Sequence, residues 1–231
     1  MFRRLWCLFV LVSISVLLGC GGAASSTPEN AVEEPSIKRV AAEKLPPLAE
    51  YLPDQDDGRL QIAPPKGWHI LGRSKQSLGS FSKGPGSPLP FLSVTASEPV
   101  IPGFDNVTEE NVDAFAEALQ ASFEAKHGEK LDKNISEYTR PMILGETPYA
   151  RYVKNAVKSG AQVEVQVLAT IQGGRMYNVE LQVVKGTIKN DRDSGYAVAA
   201  GLKFKKAAAP QDPAEKAEEK PAEKKETEEK K

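Results

Sequence analysis

Two alternating segments in the second half of the chain constrain its fold more than any other feature. In residues 162–171 valines alternate with glutamine and glutamate, and in residues 175–184 Tyr, Val and Leu alternate with Asn, Glu and Gln. Successive side chains of a strand point to opposite faces, so this pattern predicts strands with one buried and one wet face. Gly173-Gly174 between the segments suits a hairpin turn. The sequence therefore predicts an antiparallel sheet.

A helical period precedes these strands. Val112, Phe115, Leu119 and Phe123 recur at helical spacing, which predicts a helix over 109–127 with a core-facing apolar stripe. Thr108 suits the N-cap, and the glycine at 128 suits the helix end.

Shorter patterns complete the predicted core. We expect strands at 59–63, 80–82, 90–97, 135–140 and 149–157, and a last helix at 191–200 capped by Asn190 or Asp191. Strands, a helix, an antiparallel meander and a second helix form an α+β order, in which helices flank an antiparallel sheet.

The first twenty residues have the layout of a bacterial export signal. Arg3 and Arg4 form a basic head, residues 5–18 are apolar apart from two serines, and the stretch is shorter than the ~20 residues that span a bilayer. Leu17-Leu18-Gly19-Cys20 resembles the lipobox of bacterial lipoproteins. The resemblance implies cleavage before Cys20, lipid such as palmitate on its thiol, and a location on a membrane of the cell envelope. Gly21 is not an acidic retention signal, which favours the outer membrane, with the domain facing the periplasm or the exterior.

Composition divides the remaining chain into three parts. Residues 20–58 are rich in small residues and proline, so we expect a flexible tether, with a short helix at 38–48. Residues 59–205 are long enough for one hydrophobic core. Residues 206–231 contain Lys, Glu, Ala and Pro with no aromatic residue, which predicts a disordered tail.

Charge and cysteine content exclude several classes of protein. Cleavage before Cys20 removes two of the 30 basic residues and none of the 31 acidic ones, which leaves a net charge of −3. A chain of this charge lacks the basic surface that nucleic-acid binding needs. Cys7 and Cys20 are the only cysteines, so the mature chain has no internal disulfide.

No grouping of catalytic or metal-ligating residues stands out, so we expect no catalytic residue, no metal site, no cofactor and no enzymatic activity. His69 and His127 lack ligand spacing, and Asp54 to Gly58 departs from the calcium loop because Arg59 and Pro65 take its sixth and twelfth positions. The serines of Gly72-Arg73-Ser74 and Gly79-Ser80 lie in no nucleophile motif, and Gly84-Pro85-Gly86-Ser87 lacks the lysine of a phosphate loop. Four aromatic residues suit the core or, as the alternative, a pocket or a recognition surface: Trp68, Tyr149, Tyr152 and Tyr177.

The core resembles a known superfamily in several motifs. Leu60-Gln61-Ile62, then Pro65 and Gly67-Trp68, open it; Gly145 to Tyr152, Tyr177 and Gly201 to Phe204 follow. Residues 59–205 thereby resemble the PsbP-like superfamily, which is shared with the Mog-type Ran-binding proteins. The resemblance implies an α/β/α sandwich and a non-enzymatic accessory or protein-interaction module with a protein partner still to be found. Two alternatives stay open: a small-molecule carrier with a pocket between the sheet and the helix at 109–127, and a hydrolase with an unrecognised site.

Overall fold

The structure is a computed structural model that describes residues 37–72, 77–127, 138–158 and 160–205. Within these ranges the chain forms ten strands and two α-helices. The strands are β1 (Lys38–Val40), β2 (Leu60–Gln61), β3 (His69–Ile70), β4 (Gly79–Ser82), β5 (Phe91–Ser97), β6 (Arg140–Leu144), β7 (Thr147–Lys158), β8 (Ala161–Gln172), β9 (Arg175–Val184) and β10 (Lys203–Phe204). The helices are α1 (Val112–His127) and α2 (Ile188–Ala200).

Eight of these strands form one mixed sheet in the order β1-β6-β7-β8-β9-β5-β4-β3. Neighbouring strands are antiparallel except β1, which runs parallel to β6. The short strands β2 and β10 pair separately. The predicted α+β class, an antiparallel sheet flanked by helices, is confirmed apart from the one parallel edge strand.

The helices cover opposite faces of the sheet because the side chains of β8 alternate between two cores. Leu168 packs with Tyr196 and Val198 of α2, whereas Ala169 packs with Phe115 and Leu119 of α1. Both cores consist largely of fully buried apolar side chains, which provide most of the free energy that holds such layers together. The result is an α/β/α layering, as the resemblance implied.

The alternating segments form the hairpin they predicted. β8 and β9 pair from Gln172 opposite Arg175 to Val163 opposite Val184. Both turn glycines have positive φ, at Gly173 58° and at Gly174 72°, a conformation that glycine adopts without steric cost. The face of β8 that carries Gln166 and Thr170 was predicted to be wet. It is covered instead, because β8 lies in the middle of the sheet, and both side chains are fully buried.

Both helices begin at other residues than predicted. α1 begins at Val112, three residues after the predicted start, and a turn precedes it in which the Asn111 N–H donates to the Thr108 carbonyl at 3.3 Å and the Asn111 side chain accepts from the Thr108 N–H at 2.7 Å. α2 begins at Ile188, three residues before the predicted start, and its N-cap position is Thr187.

The strand predicted at 135–140 was placed too early, because Arg140 begins β6. Its residues 135–137 lie outside the described residues. Pro141 has no N–H to donate, but β1 pairs only with Met142 to Leu144, so a proline is tolerated near the start of the strand.

The predicted tether also ends earlier than residue 58. Residues 38–40 form β1 in the main sheet, and Leu45, Leu48 and Leu52 pack against the α2-side core. In place of a helix over 38–48 there is one 3₁₀ turn at Ala42–Lys44. The folded domain therefore includes residues 37–58. The predicted signal, the first part of the tether and the tail over 206–231 lie outside the described residues.

Strand direction gives the sheet two distinct ends. The β7–β8 end carries the turn between Lys158 and Ala161, the end of β9 and the start of α2. The β8–β9 end carries the turn between Gln172 and Arg175 and, beside Tyr177, the last described strand, β10.

Candidate functional site

The most organised polar cluster lies at the β8–β9 end, around Asp56. The turn from Gln55 to Gly58 holds Asp56 and Asp57 at φ 49° and 56°, a left-handed conformation that aspartate tolerates better than most residues. The backbone N–H of Gly58 closes the turn by donating to the carbonyl oxygen of Gln55 at 3.1 Å. This conformation directs the Asp56 carboxylate inward, where it is 5% exposed.

Two side chains from the start of β9 bind this carboxylate. An Arg175 guanidinium nitrogen lies 3.1 Å from Oδ1, and the Tyr177 hydroxyl donates to Oδ2 at 2.6 Å. Burial and the negative charge of Asp56 raise the pKa of Tyr177, so its phenol stays protonated and remains a donor. Arg175 also reaches Glu98, 3.8 Å away at the surface, and the Phe204 ring lies 5.1 Å from that of Tyr177.

The Asp56 cluster is a structural contact between segments of the chain. It joins the loop before β2, the start of β9 and β10, three segments far apart in sequence. It contains no hydroxyl or thiol beside a histidine or free carboxylate, which nucleophilic catalysis needs. The neighbouring Asp54 belongs to a separate group: its carboxylate accepts from Lys205 and Gln61, which lower its pKa.

The described residues hold no group of three or more histidine, cysteine, aspartate or glutamate side chains that could bind a metal ion. His69 is exposed on the edge strand β3, and His127 is the last residue of α1. Asp54 and Asp56 bind different cations of the protein itself, so their oxygens do not converge. The histidines and aspartates that were weighed as metal ligands from the sequence therefore lie apart in the structure.

The candidate serines are also dispersed. Ser80 is buried in β4, with its hydroxyl 2.7 Å from that of Ser77. The glycine-rich segment from Gly84 to Ser87 connects β4 with β5. Gly72 is exposed and described, whereas Arg73 and Ser74 lie outside the described residues, as does Cys20.

The four candidate aromatic residues do not form one pocket. Tyr149 is fully buried and donates to the Ala199 carbonyl at 2.7 Å. Tyr152 packs edge-on against Phe123 on the other face, at 4.8 Å between ring centroids. Trp68 is half-buried against the α2-side core, and Tyr177 belongs to the Asp56 cluster. Sequence reasoning missed that cluster because nothing in the pattern links Asp56 to Arg175, 119 positions apart.

The space between the sheet and α1 is filled. Phe115 and Leu119 are 0% and 1% exposed and pack against Ala150, Ala169 and Ile171. The pocket that the carrier alternative needs is therefore closed by side chains of the helix itself.

A groove of about 450 Å³ lies instead between the segment before β2 and the end of α2. Leu48, in the segment before β2, lies close to Gly201, at the end of α2. The Tyr51 hydroxyl donates to the Gly201 carbonyl at 3.1 Å. The Lys203 ammonium lies 3.9 Å from the centre of the Tyr51 ring. The groove is open, and Glu43 is the one charged residue among its mostly apolar lining, so it offers little to fix a polar ligand.

In comparisons with known proteins, no protein-family model matches the chain, and no curated protein matches it. Among solved structures the chain is similar to a Bacteroides thetaiotaomicron protein, with 15% identity, a TM-score of 0.43 and coverage of 65% of this chain and 47% of the other. The chain thus spans about half the length of that protein.

Two further structures are similar over most of their length. One is LpqN, involved in cell envelope biogenesis of Mycobacterium tuberculosis, at 12% identity, TM-score 0.42 and coverage of 67% of this chain and 89% of LpqN. The other is the cyanobacterial PsbP of Synechocystis, at 13% identity, TM-score 0.34 and coverage of 68% and 92%. A PsbP protein is thus among the structural neighbours, while the α+β class follows from the strands and helices described above.

Neither helix of the described residues is long and apolar enough to cross a membrane.

Proposed function

We propose that this protein is an exported lipoprotein whose folded domain works as a non-enzymatic accessory or interaction module at a membrane of the cell envelope. The observation that carries the proposal is the sequence Leu17-Leu18-Gly19-Cys20 after a basic head and an apolar stretch. Cleavage before Cys20 would make it the first residue, and acylation would then hold the chain to the bilayer.

Physical chemistry explains why such an anchor suffices. Each buried methylene contributes about 0.8 kcal/mol of membrane affinity, so one acyl chain binds reversibly and several together bind stably. We place the domain on the outer membrane, facing the periplasm or the exterior, because Gly21 is not an acidic retention residue.

The absence of an enzymatic role rests on side-chain groupings. The best-organised charged cluster, around Asp56, is occupied by its own Arg175 and Tyr177. Ser82 pairs across the strands with His69, but its hydroxyl donates to the Gly84 carbonyl at 3.1 Å. The carrier alternative loses its support because Phe115 and Leu119 fill the space it requires.

The anchor is tested by intact mass and detergent partitioning of the protein taken from membranes. The wild type should begin at Cys20, carry the added mass of lipid and enter the detergent phase. Cys20→Ala should lose the lipid mass and the partitioning. Cys7→Ala is the matched control, since Cys7 lies within the segment to be removed. A wild type that retains residues 1–19, or a Cys7→Ala variant that loses lipid, contradicts the proposal.

The interaction role is tested separately, by cross-linking in intact membranes followed by affinity purification. A partner recovered reproducibly with the wild type, and lost when the domain is unfolded by a core substitution such as Phe115→Asp, supports the role. A domain that cross-links only to lipid contradicts it.

A further inference from the structure

Two valines at the β7–β8 end are largely exposed. Val157, the second-last residue of β7, is 73% exposed, and Val184, the last residue of β9, is 53% exposed. The other valines of β7, β8 and β9 are buried or half-buried, so within these three strands the exposed valines are confined to this end. Ile70, on the edge strand β3, is also exposed.

The two valines point to opposite faces of the sheet. Val184 pairs with Val163, which pairs with Ala156, so these side chains share one face; Val157 follows Ala156 and lies on the other. A flat protein surface can cover one face of a sheet but not both. A bilayer interface surrounds whatever end inserts into it, so it covers both valines together.

The charge of this end complements an anionic surface. Residues 156–162 and 184–190, which form it, contain three lysines and no acidic residue. Lys158, Lys185 and Lys189 are exposed. The Lys158 ammonium donates to the Gln182 side chain at 3.0 Å and lies 4.6 Å from the centre of the Phe91 ring, and the Lys185 ammonium donates to the Gln162 side chain at 3.1 Å. The nearest acid of α2, Asp191, is already bound by Lys83 at 2.7 Å.

The direction of β1 shows from which side the chain enters the sheet. β1 runs parallel to β6, and β6 runs antiparallel to β7, so the chain enters β1 from the β7–β8 side. The 17 residues between Cys20 and Lys38 span at most about 60 Å. β7 extends seven residues beyond Arg151, which pairs with the first residue of β6, or about 23 Å. A chain held at Cys20 therefore leaves this end free to reach the same membrane.

We infer that the β7–β8 end of the sheet is a second, reversible membrane contact, in which Val157 and Val184 enter the interface of an anionic phospholipid bilayer and Lys158, Lys185 and Lys189 bind its phosphates. The inference rests on the proposed anchor only for bringing the domain near a bilayer. The contact itself belongs to the folded domain and is present without lipid on Cys20.

The test uses unacylated protein, residues 20–231 with Cys20→Ser, and sedimentation with vesicles. Vesicles of phosphatidylcholine alone are compared with vesicles that also contain phosphatidylglycerol. We expect binding to the mixed vesicles that declines with added salt. The pair Lys158→Gln and Lys185→Gln should weaken binding about 25-fold, since each lysine near an anionic surface contributes about fivefold.

The matched control removes two lysines from elsewhere. Lys44→Gln with Lys203→Gln makes the same change in net charge beside the groove at the end of α2, and it should leave vesicle binding within about twofold. Binding that is equal for neutral and anionic vesicles, or that is weakened equally by both pairs, overturns the inference, as does no binding at all.

A second readout locates the contact. An environment-sensitive probe is attached at Val157→Cys or at Val184→Cys, and for comparison at Val100→Cys, a valine that is 64% exposed and follows β5. Probes at 157 and 184 should shift to the emission of an apolar surrounding on anionic vesicles, and the probe at 100 should not. Equal shifts at all three positions overturn the assignment. Failure of the anchor is recognised separately, by the mass of the membrane-derived protein.

Discussion

At the scale of single residues, the Asp56 carboxylate is the charge most dependent on its partners. It is 5% exposed, with Arg175 and Tyr177 on its two oxygens. Asp56→Asn keeps the size and the tolerance for left-handed φ but removes the charge. Hydrogen bonds to charged groups contribute about 1.5–3 kcal/mol, so we expect the free energy of unfolding to fall by about 2–3 kcal/mol, measured by urea denaturation.

The neighbouring aspartate provides the control. Asp57 shares the turn and the left-handed φ but is exposed. Asp57→Asn should change the free energy of unfolding by less than about 0.5 kcal/mol. Equal effects of the two substitutions would mean that the turn, and not the carboxylate contacts, controls stability there.

The buried tyrosines make stability sensitive to alkaline pH. Burial raises the pKa of Tyr149, Tyr177 and Tyr196, which are 0%, 2% and 3% exposed. In the unfolded chain tyrosine ionises near pH 10, so above that pH the unfolded state loses protons that the folded state keeps. Stability is therefore fully present below about pH 10 and is lost as the pH rises through the raised folded values.

We expect these three tyrosines to lower the free energy of unfolding above pH 10 by about 4 kcal/mol per pH unit, about 1.4 for each, and the half-buried Tyr152, whose pKa burial also raises, adds to the fall. Tyrosinate absorbance and circular dichroism, followed together, check this: three tyrosines should ionise only as the fold is lost. Full ionisation of all six tyrosines with the circular dichroism intact would refute the burial argument.

At the scale of elements, the sequence predicts those whose periodicity is long. The alternation over 162–184 and the apolar stripe of α1 placed three elements because many residues repeat one pattern. β1 and β3 have three and two residues, too few for a period, and exist because neighbouring strands offer them hydrogen bonds. The start of α1 at Val112 follows a turn over Thr108 to Asn111, and that turn depends on contacts that periodicity does not reveal.

The close packing of Gly201 against Leu48 joins the end of α2 to the segment before β2. Gly201 has φ −90° and ψ 0°, which any residue adopts, but a Cβ there would lie 2.2 Å from Leu48 Cδ1. Gly201→Ala should therefore lower the free energy of unfolding by about 1–3 kcal/mol, the range for overpacking. Gly72→Ala, where a Cβ would meet open space, is the control and should be nearly neutral.

A double-mutant cycle separates the steric cause from others. In a Leu48→Ala background the added effect of Gly201→Ala should shrink to a few tenths of a kcal/mol, because the clashing methyl group is gone. An undiminished effect would point to the Ala197 carbonyl, 3.2 Å from the added Cβ, as the source.

At the scale of the whole molecule, the sequence predicted a sheet flanked by helices, but it did not predict the Asp56 cluster or the exposed residues at the β7–β8 end. The Asp56 cluster and the β7–β8 end both bring together residues from separate segments of the chain, such as Asp56 with Arg175 and Val157 with Val184. Their proximity depends on strand register, which one sequence does not reveal. Cys20 is different: its prediction depends on neighbours in sequence alone, so it was made without the fold.

The domain boundary is the last whole-molecule consequence. Composition placed the start of the domain at residue 59, because proline and small residues before it resemble a linker. The structure instead packs Val40, Leu45, Leu48 and Leu52 against the α2-side core. Partial burial of these four side chains contributes about 1 kcal/mol each, or about 4 kcal/mol together. That sum is a large share of the 5–15 kcal/mol of a typical domain.

Two truncated chains test this boundary, one of residues 37–231 and one of residues 59–231. The first retains β1 and should unfold in urea at the same midpoint as the chain of residues 20–231. The second lacks β1, exposes the edge of β6 from Met142 to Leu144, and also loses the Asp56 carboxylate, so Arg175 and Tyr177 are left without their partner. We expect it to lose at least about 4 kcal/mol and to aggregate or remain unfolded. Equal urea midpoints for both chains would contradict this boundary. They would mean that the domain starts at residue 59 and that its core is stable without residues 37–58.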